Sequence, residues 1–428
     1  MTRRRSPNLI KLFVCQVLLA SALLGIPIVS AHADALDNWT SGVMHTNGYD
    51  PYGLYGPMIT GAAYGNGRYV EVGQYFQTDE GIVETSSDGT NWVITSPYDD
   101  SILDLYDVTF ANGIFVAVGW AGDGLNYNFY TSSNGSNWTS HVGTQIYNFS
   151  AVTFGGGQFV AVGDGYILYA SGQTNENIYS SPDGTNWEAQ DSGAPANDVD
   201  ILFDVAYGAG TFVAVGKDAS GSSYFHTATA MEYWYWTRTT SNYRLAGSIS
   251  YCNGLFFAPS GPGTNLVSAN GTTWAVRTNN TSSTFGRMIY TNGLYVALSG
   301  TTVFTSTDGT NWVQRNLHPP ANEILTAAVF GNGTVVVVGY ENNTINSPDL
   351  PPTFRSDPLV SLAINSGPSP QLKISGVSNL LYSIQYSPSL NPANWQTLTN
   401  FTLSNSPSIQ TDGAATNSQR YYRAGWLP

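Results

Sequence analysis

Short runs of alternating apolar and polar residues, separated by glycine-containing turns, make up most of the chain. One recurring string joins two apolar runs through a turn of Asn-Gly type, as in FANGIFVAVG at 110–119. Asn and Gly adopt positive φ readily, so this turn chemistry is typical of a β-hairpin. Because no stretch after residue 33 keeps a helical period, the pattern predicts an all-β chain. The string occurs at 64–73, 110–119, 154–163, 207–216, 251–261, 290–300 and 330–339.

A second recurring turn follows most of these hairpins and ends in tryptophan, as in TSSDGTNW at 85–92. Each repeat therefore predicts four strands: two around the hairpin turn and two around the tryptophan turn. Four-stranded repeats of roughly 40–50 residues are typical of propeller blades, which stack radially because one sheet cannot bury its faces alone. The tryptophans are Trp39, Trp92, Trp138, Trp187, Trp236, Trp274 and Trp312.

The two ends of the array each hold part of one repeat. The first tryptophan segment, LDNWTSG at 36–42, has no strands before it. The last hairpin is followed by NNTINSPDLPP at 342–352, where Ser347 and Asp349 match the start of the turn and no tryptophan follows. A closed ring explains this split, because closure hides the sheet edges of an open array. We predict a seven-bladed β-propeller over 34–351, closed by the N-terminal strand.

The turn S-x-D-G-x-x-W resembles the Asp-box, or BNR, repeat of the sialidase-like propellers, with one residue fewer between Asp and Trp than is usual. The resemblance covers the repeat region and implies the fold rather than a function. The copy at 230–236, AMEYWYW, departs from the pattern and has Glu232 where Asp is expected. The matching residues are Ser86, Asp88, Gly89, Trp92; Ser132, Asn134, Gly135, Trp138; Ser181, Asp183, Gly184, Trp187; Ser268, Asn270, Gly271, Trp274; and Ser306, Asp308, Gly309, Trp312.

These turn residues are expected to have structural roles. The Asp or Asn side chain accepts hydrogen bonds from turn amides, Gly permits a left-handed backbone, and Trp fills space between blades. One carboxylate on each separate hairpin cannot supply the six to eight oxygens of a calcium site. We therefore expect no metal and no cofactor.

The tail has a different pattern. A Pro-rich linker is predicted at 352–358, and residues 359–428 contain short alternating runs that predict a small β-sandwich of Ig-like or fibronectin-like type. The segments LYSIQYSPSLNPANWQTL and RYYR resemble a C-terminal module common in secreted multidomain proteins of environmental bacteria. That resemblance implies an accessory or adhesive role.

The N-terminus predicts a secretory signal over 1–33, with a basic start, an apolar stretch and a small-residue site that is cleaved after Ala33. The mature protein is then expected outside the cell or in the periplasm, free of the membrane. Four of the 15 Lys and Arg residues lie in the signal, which leaves 11 against 29 Asp and Glu. Such an acidic chain is poorly suited to nucleic acid, where Lys and Arg neutralise phosphates.

Candidate binding residues lie on one face of the predicted propeller. The connections between the second and third strands, and between consecutive blades, vary in length and share that face, and variable loops on a rigid scaffold are where recognition usually occurs. Asp107, Asp204 and Arg287 hold the same position in three repeats, either for a common ligand or for an ion-pair network that holds the blades. The loop candidates are Asp99, Asp100, Asp198, Asp200, Tyr233 and Trp234.

These observations predict a monomeric, secreted binding or scaffold propeller that recognises a polysaccharide or an extracellular protein. One alternative is a carbohydrate-active enzyme, a glycoside hydrolase or lyase, which needs two carboxylates about 5–9.5 Å apart. No catalytic residue is assigned, and the Arg-Ile-Pro segment usual in sialidases is missing, so a sialidase is not expected. A structural envelope or matrix protein is the second alternative.

Overall fold

The structure is a computed structural model, and its strands confirm the prediction of an all-β chain. It describes residues 31–32, 36, 39–45, 57–75, 80–95, 104–120, 127–142, 148–164, 177–194, 200–229, 235–315, 317, 323–341, 353–356, 361–365, 370–376, 380–387, 395–404, 406–413 and 421–427. Among these residues no helix has the length and apolarity needed to cross a membrane.

Most strands form four-stranded antiparallel units, each built from strands that follow one another in the chain, and the pair Asp164↔Ile201 joins two of these units, sheets 3 and 4 below, into one sheet. The short strands β1 (Ala31–His32), β2 (Trp39–Ser41) and β3 (Val43–His45) come first. Sheet 1 contains β4 (Pro57–Gly65), β5 (Arg68–Tyr75), β6 (Gly81–Ser86) and β7 (Asn91–Ile94). Sheet 2 contains β8 (Leu105–Ala111), β9 (Ile114–Gly119), β10 (Tyr127–Ser132) and β11 (Thr139–Val142). Sheet 3 contains β12 (Asn148–Gly155), β13 (Gln158–Asp164), β14 (Ile178–Ser181) and β15 (Glu188–Gln190).

The same order continues through the second half of the repeats. Sheet 4 contains β16 (Ile201–Gly208), β17 (Thr211–Lys217), β18 (Ser223–Thr229) and β19 (Thr237–Thr240). Sheet 5 contains β20 (Ser250–Cys252), β21 (Leu255–Gly261), β22 (Thr264–Ser268) and β23 (Ala275–Thr278). Sheet 6 contains β24 (Met288–Thr291), β25 (Leu294–Ser299), β26 (Thr302–Ser306) and β27 (Val313–Arg315). Sheet 7 contains β28 (Glu323–Gly331), β29 (Thr334–Glu341) and β30 (Thr353–Ser356), with β2 beside β30.

The first strand of each sheet contacts the first strand of the next sheet. These contacts join β4 to β8, β8 to β12, β12 to β16, β16 to β20, β20 to β24, β24 to β28, and β28 back to β4. The hairpin turns have the predicted positive φ, as at Asn112 (52°) and Gly113 (82°). Sheet 1 carries one addition, since β3 pairs in parallel with the outer strand β7.

The last sheet departs from the sequence prediction. The third strand, β30, lies at 353–356 and pairs through Val336↔Arg355 and Val338↔Thr353. The prediction of a linker throughout 352–358 is therefore wrong at 353–356, whereas the predicted start of a turn at Ser347 lies outside the described residues. The segment TFRS alternates and ends in serine, as VETS does before the first tryptophan turn, so it takes the same place in its sheet. The residues 342–352 themselves lie outside the described part of the chain.

The C-terminal strands form a second unit with its own core. They are β31 (Ser361–Asn365), β32 (Gln371–Ser375), β33 (Leu381–Ser387), β34 (Gln396–Thr402), β35 (Ser408–Thr411) and β36 (Tyr421–Leu427). One sheet has the order β1-β31-β32-β35 and the other has the order β34-β33-β36. Leu372 and Ile374 of the first sheet share one buried cluster with Tyr382 and Tyr422 of the second. The strand β1 lies inside the predicted signal, so cleavage after Ala33 would remove it from this sheet.

Candidate functional site

The tryptophan turns are held by side-chain hydrogen bonds. In the first turn, Ser86 Oγ accepts the amide of Gly89 at 2.9 Å, and Asp88 Oδ1 accepts the amides of Thr90 and Asn91, each at 2.8 Å. Partial burial alone would raise the pKa of Asp88, but the hydrogen bonds from Asn91 and Thr90 outweigh it and lower this pKa to about 2. The Asp88 carboxylate therefore binds the amides of its own turn.

Asparagine replaces aspartate in two of these turns with the same geometry. Asn134 Oδ1 accepts the amides of Ser136 and Asn137, each at 2.9 Å, and Asn270 Oδ1 accepts two amides at 3.0 Å. A neutral acceptor therefore suffices at this position, which fits a structural role. Within the part of the chain that the structure describes, no group of three or more His, Cys, Asp and Glu side chains is placed to hold a metal ion.

The glycine and tryptophan of the turn pack against the preceding sheet. Gly135 has φ of 74°, and a Cβ atom there would lie 2.5 Å from Val70 Cγ2 in sheet 1. Trp187 of sheet 3 stacks on Phe129 of sheet 2, with ring centroids 4.0 Å apart and an angle of 8° between the planes. The same motif thus stabilises a turn and fits one sheet against its neighbour.

Three of the predicted candidates, Asp107, Asp204 and Arg287, meet beside the first strands of their sheets. Arg287 Nη1 donates to Asp107 Oδ1 at 2.6 Å, and Arg287 Nη2 donates to Asp107 Oδ2 at 3.0 Å. The same guanidinium donates to Asp204 through Nε (3.2 Å) and Nη2 (2.9 Å). The two carboxylates are almost fully buried, whereas 29% of the Arg287 side chain is exposed. We name this group the axial cluster.

Backbone amides complete the axial cluster. Asp107 Oδ2 accepts the amide of Val152 in sheet 3 at 3.0 Å, and Asp204 Oδ2 accepts the amide of Ile249, just before sheet 5, at 3.0 Å. A register shift in β8 and another in β16 place each aspartate one residue after a bulge. The cluster therefore links sheets 2, 3 and 4 to Ile249 and Arg287, which lie just before sheets 5 and 6.

The electrostatics of the axial cluster are those of an internal ion network. Burial raises the pKa of Asp204, and the charge of Arg287 partly offsets this effect. Burial alone would lower the pKa of Arg287, but the charges of Asp107 and then Asp204 outweigh it and raise this pKa. Because the polar groups bind one another, the geometry favours the network interpretation over a ligand site.

Asp200, another predicted candidate, is fully buried. Arg238 Nη2 donates to Asp200 Oδ1 at 2.7 Å, and His226 Nε2 lies 3.0 Å from Asp200 Oδ2. The guanidinium of Arg238 also stacks over the ring of Tyr224, with 3.5 Å between its central carbon and the ring centroid. A ligand would have to displace these partners in order to reach Asp200. The other candidates, Asp99, Asp100, Asp198, Tyr233 and Trp234, lie outside the described residues.

The structure contains a buried pair of carboxyl groups that was not predicted from the sequence. Glu71 and Glu84 face each other across β5 and β6, and both are completely buried. Thr353 Oγ1 lies 3.4 Å from Glu71 Oε2. Burial and then the charge of Glu84 raise the pKa of Glu71, and burial raises the pKa of Glu84 to about 8. The sequence did contain one indication of this pair, because the first hairpin has VEVG, with Glu71, where three others have VAVG.

The sequence also failed to predict a groove between sheets 4 and 5. Its volume is about 950 Å³, and it lies where the β17–β18 connection approaches the segments before β20 and β24. Phe203, the bulged residue beside Asp204, lies at the groove, and Lys217 Nζ is 5.4 Å from the centroid of its ring. The described lining residues are Phe203, Lys217, Gly221, Ser223, Arg244, Leu245, Ala246, Gly247, Ser260, Gly261, Pro262 and Thr284.

Comparison with solved structures establishes the class of fold. The structure is similar to one described as YCF48 bound to D1 peptide, with a TM-score of 0.52 and 16% sequence identity, over 74% of this chain and 96% of that chain. It is also similar to PorZ, a surface component of the type-IX secretion system of Porphyromonas gingivalis, with a TM-score of 0.51 and 11% identity. That match covers 85% of this chain and 58% of PorZ. No protein-family model and no curated protein matches the chain. The chain has a β-propeller fold.

Proposed function

We propose that this protein is a secreted binding protein whose ligand occupies the groove between sheets 4 and 5. The groove itself carries the proposal, because concave sites of roughly 300–1,000 Å³ are where proteins hold small ligands or segments of polymers. It lies on the face that carries the variable connections, and those connections are held by rigid sheets. Binding at this site needs no rearrangement of the buried axial cluster.

We propose further that the repeats form a closed ring of seven blades. Contact of β28 with β4 supports closure, and so does the position of β2 beside β30. Thr326 Oγ1 donates to the carbonyl of Ile59 at 2.7 Å, as Thr60 Oγ1 donates to that of Leu105 at 2.9 Å. The contact between sheets 7 and 1 thus repeats the one between sheets 1 and 2.

The finer assignments are part of the same proposal. The hydrogen bonds of the tryptophan turns support membership of the Asp-box, or BNR, group, and the two sheets around one core support an Ig-like or fibronectin-like tail module. A cleaved signal peptide would deliver the protein outside the cytoplasm, where a polysaccharide or another protein is the available ligand. The peptide in the YCF48 structure illustrates a protein ligand on this fold.

Binding without turnover is the function we favour. Asp204, next to Phe203 of the groove, is held by Arg287 and by the amide of Ile249. Asp218, between the lining residues Lys217 and Gly221, is held by Ser220, Ser222 and Tyr224. A glycosidase needs one carboxyl group free to donate a proton and a second free to act as base or nucleophile.

The experiment is to block the groove. Ala246 is exposed and lies at its wall, so Ala246→Trp should fill it. Ser87 is exposed in a tryptophan turn on the opposite face, and Ser87→Trp is the matched control. Ligands found on a glycan array and among extracellular proteins should bind wild type and S87W equally and should fail to bind A246W. Equal binding by A246W would place the ligand elsewhere and overturn the proposal.

A further inference from the structure

We infer that the groove selects an anionic polysaccharide, a polymer whose sugars carry carboxylates. The inference rests on the proposed function and specifies the class of ligand. Among the described lining residues two are basic, Lys217 and Arg244, and none is acidic. The whole chain has 15 Lys and Arg against 29 Asp and Glu, so the groove reverses the overall charge balance.

Both cations are available to a ligand. Lys217 and Arg244 are exposed, and in the described ranges the salt bridges are made by His226, Arg238 and Arg287 instead. Lys217 ends β17, where it lies over the ring of Phe203. One carboxylate near it is Asp164, whose pKa is raised by burial and lowered in part by the charge of Lys217. The residue after Lys217, Asp218, accepts hydrogen bonds from Ser220, Ser222 and Tyr224. The Phe203 ring attracts the ammonium of Lys217 weakly and leaves its charge available to an incoming anion.

Hydroxyl groups and exposed backbone line the rest of the groove. Ser223 lies in the lining, is 7% exposed, and accepts the amide of Leu245 through Oγ at 3.1 Å. Gly247 has φ of 90°, so the chain there turns without a side chain above it. Ser260 and Thr284 lie on the wall. Sugars are bound by such hydroxyls together with an aromatic surface, and here Phe203 supplies the ring.

An acidic peptide fits this lining less well. Peptides bind by adding a strand to a sheet edge or by placing apolar side chains in pockets. The large apolar residues of the described lining are Phe203, Leu245 and Pro262, and Leu245 is already buried in the protein core. The lining therefore offers charge and hydroxyls along an open surface, as a charged carbohydrate requires.

Three polymers and two variants of the protein test this inference. Polygalacturonate and alginate carry a carboxylate on each sugar, and fully methyl-esterified polygalacturonate has the same backbone without the charge. Calorimetric titration of the mature protein should show binding of the two acidic polymers, and at least tenfold weaker binding of the ester. Lys217→Gln and Arg244→Gln should each weaken binding about tenfold, as expected for the loss of a charge-assisted hydrogen bond. Affinity should also fall as salt rises from 0.05 to 0.5 M, each an approximate test concentration.

The controls make equivalent changes of charge elsewhere. Lys373→Gln removes an exposed lysine from the C-terminal unit, and Arg68→Gln removes an arginine beside the turns of the opposite face. Both should keep wild-type affinity. If the acidic polymer and its ester bind equally well and A246W binds neither, the groove is the binding site. Selection for charged sugars is then refuted. Tighter binding of polyglutamate than of either polysaccharide would replace the carbohydrate by an acidic peptide. Failure of both acidic polymers to bind would overturn the inference.

Discussion

Arg287 and Asp107 are 180 residues apart in the chain and are joined by two hydrogen bonds, Nη1 to Oδ1 at 2.6 Å and Nη2 to Oδ2 at 3.0 Å. The same guanidinium also binds Asp204, so one side chain just before sheet 6 binds the first strands of sheets 2 and 4. Sheets 3 and 5 join the network through the amides of Val152 and Ile249. These bonds therefore join sheets that do not follow one another in the chain.

Removal of this arginine should destabilise the fold. Arg287→Gln leaves Asp107 and Asp204 buried without their cation, and breaking such a pair costs about 3 kcal/mol of unfolding free energy or somewhat less where water reaches the site. Urea unfolding followed by tryptophan fluorescence measures this loss. The triple variant D107N/D204N/R287Q, which buries no charge, should recover much of it. Unchanged stability of R287Q, or a specific loss of ligand affinity alone, would instead support a binding role for the axial cluster.

The carboxyl pair of Glu71 and Glu84 should make the protein less stable as pH rises. The ordinary pKa of a glutamate here is 4.5, and burial raises that of Glu84 to about 8 in the folded protein. Between these two values the folded state holds the proton that the unfolded chain releases, so the free energy of unfolding falls with rising pH. The stabilisation that comes from protonated Glu84 is complete below the pKa of the unfolded chain. It is lost as the pH rises through the pKa of Glu84 in the folded protein.

Glu84→Gln tests this pH dependence, because the amide has no charge to bury. Thermal melts should show E84Q more stable than wild type at pH 8 and close to it near pH 4.5, both approximate test values. Exposed Glu188 provides the control, and E188Q should follow the wild-type profile. Parallel profiles for E84Q and wild type would contradict the buried carboxyl pair.

The tryptophan turns should tolerate asparagine better than alanine. Asp308 Oδ1 accepts the amides of Thr310 at 2.8 Å and Asn311 at 2.7 Å, and an asparagine oxygen can replace it, as Asn134 shows. We expect Asp308→Asn to cost about 0.5 kcal/mol or less, and Asp308→Ala about 1–2 kcal/mol, by analogy with the loss of a helix cap. Chemical unfolding of both variants measures the difference, and equal losses would mean that the charge itself is required.

Replacement of a turn glycine by alanine should destabilise the protein more where a neighbouring side chain leaves no room for a Cβ atom. Gly135→Ala introduces both a strained φ and a Cβ atom 2.5 Å from Val70 Cγ2, whereas a Cβ at Gly113, with φ of 82°, meets nothing within 4 Å. The strain alone costs about 1–2 kcal/mol, and the clash at Gly135 should add about 1–3 kcal/mol. The difference in melting temperature between G135A and G113A reports this contact between sheets 1 and 2. Equal shifts for both variants would show that the turn does not pack against Val70.

Local chemistry explains what the sequence could predict. An Asn-Gly hairpin or an Asp-box turn depends on a few adjacent residues, so each pattern led directly to its element. The repeats also gave Asp107, Asp204 and Arg287 equivalent positions, and the structure brings these three side chains together. Their pairing with the amides of Val152 and Ile249 depends on bulges in the strands, which no local pattern indicated.

The misses have a common cause. The prolines that flank 353–356 predict a linker there, and four residues are too short a run to indicate the strand. The groove is formed by segments that are far apart in the chain, so Lys217 and Arg244 could not be associated from the sequence. Glu71 and Glu84 needed the cross-strand register, although glutamate in place of alanine in VEVG was visible.

A crystal structure of the protein with a galacturonate oligosaccharide is the most direct measurement. We predict sugar density in the groove between sheets 4 and 5, with carboxylates within hydrogen-bond distance of Lys217 or Arg244 and the axial cluster unchanged. Sugar bound at Arg287, with its bonds to Asp107 broken, would contradict the account.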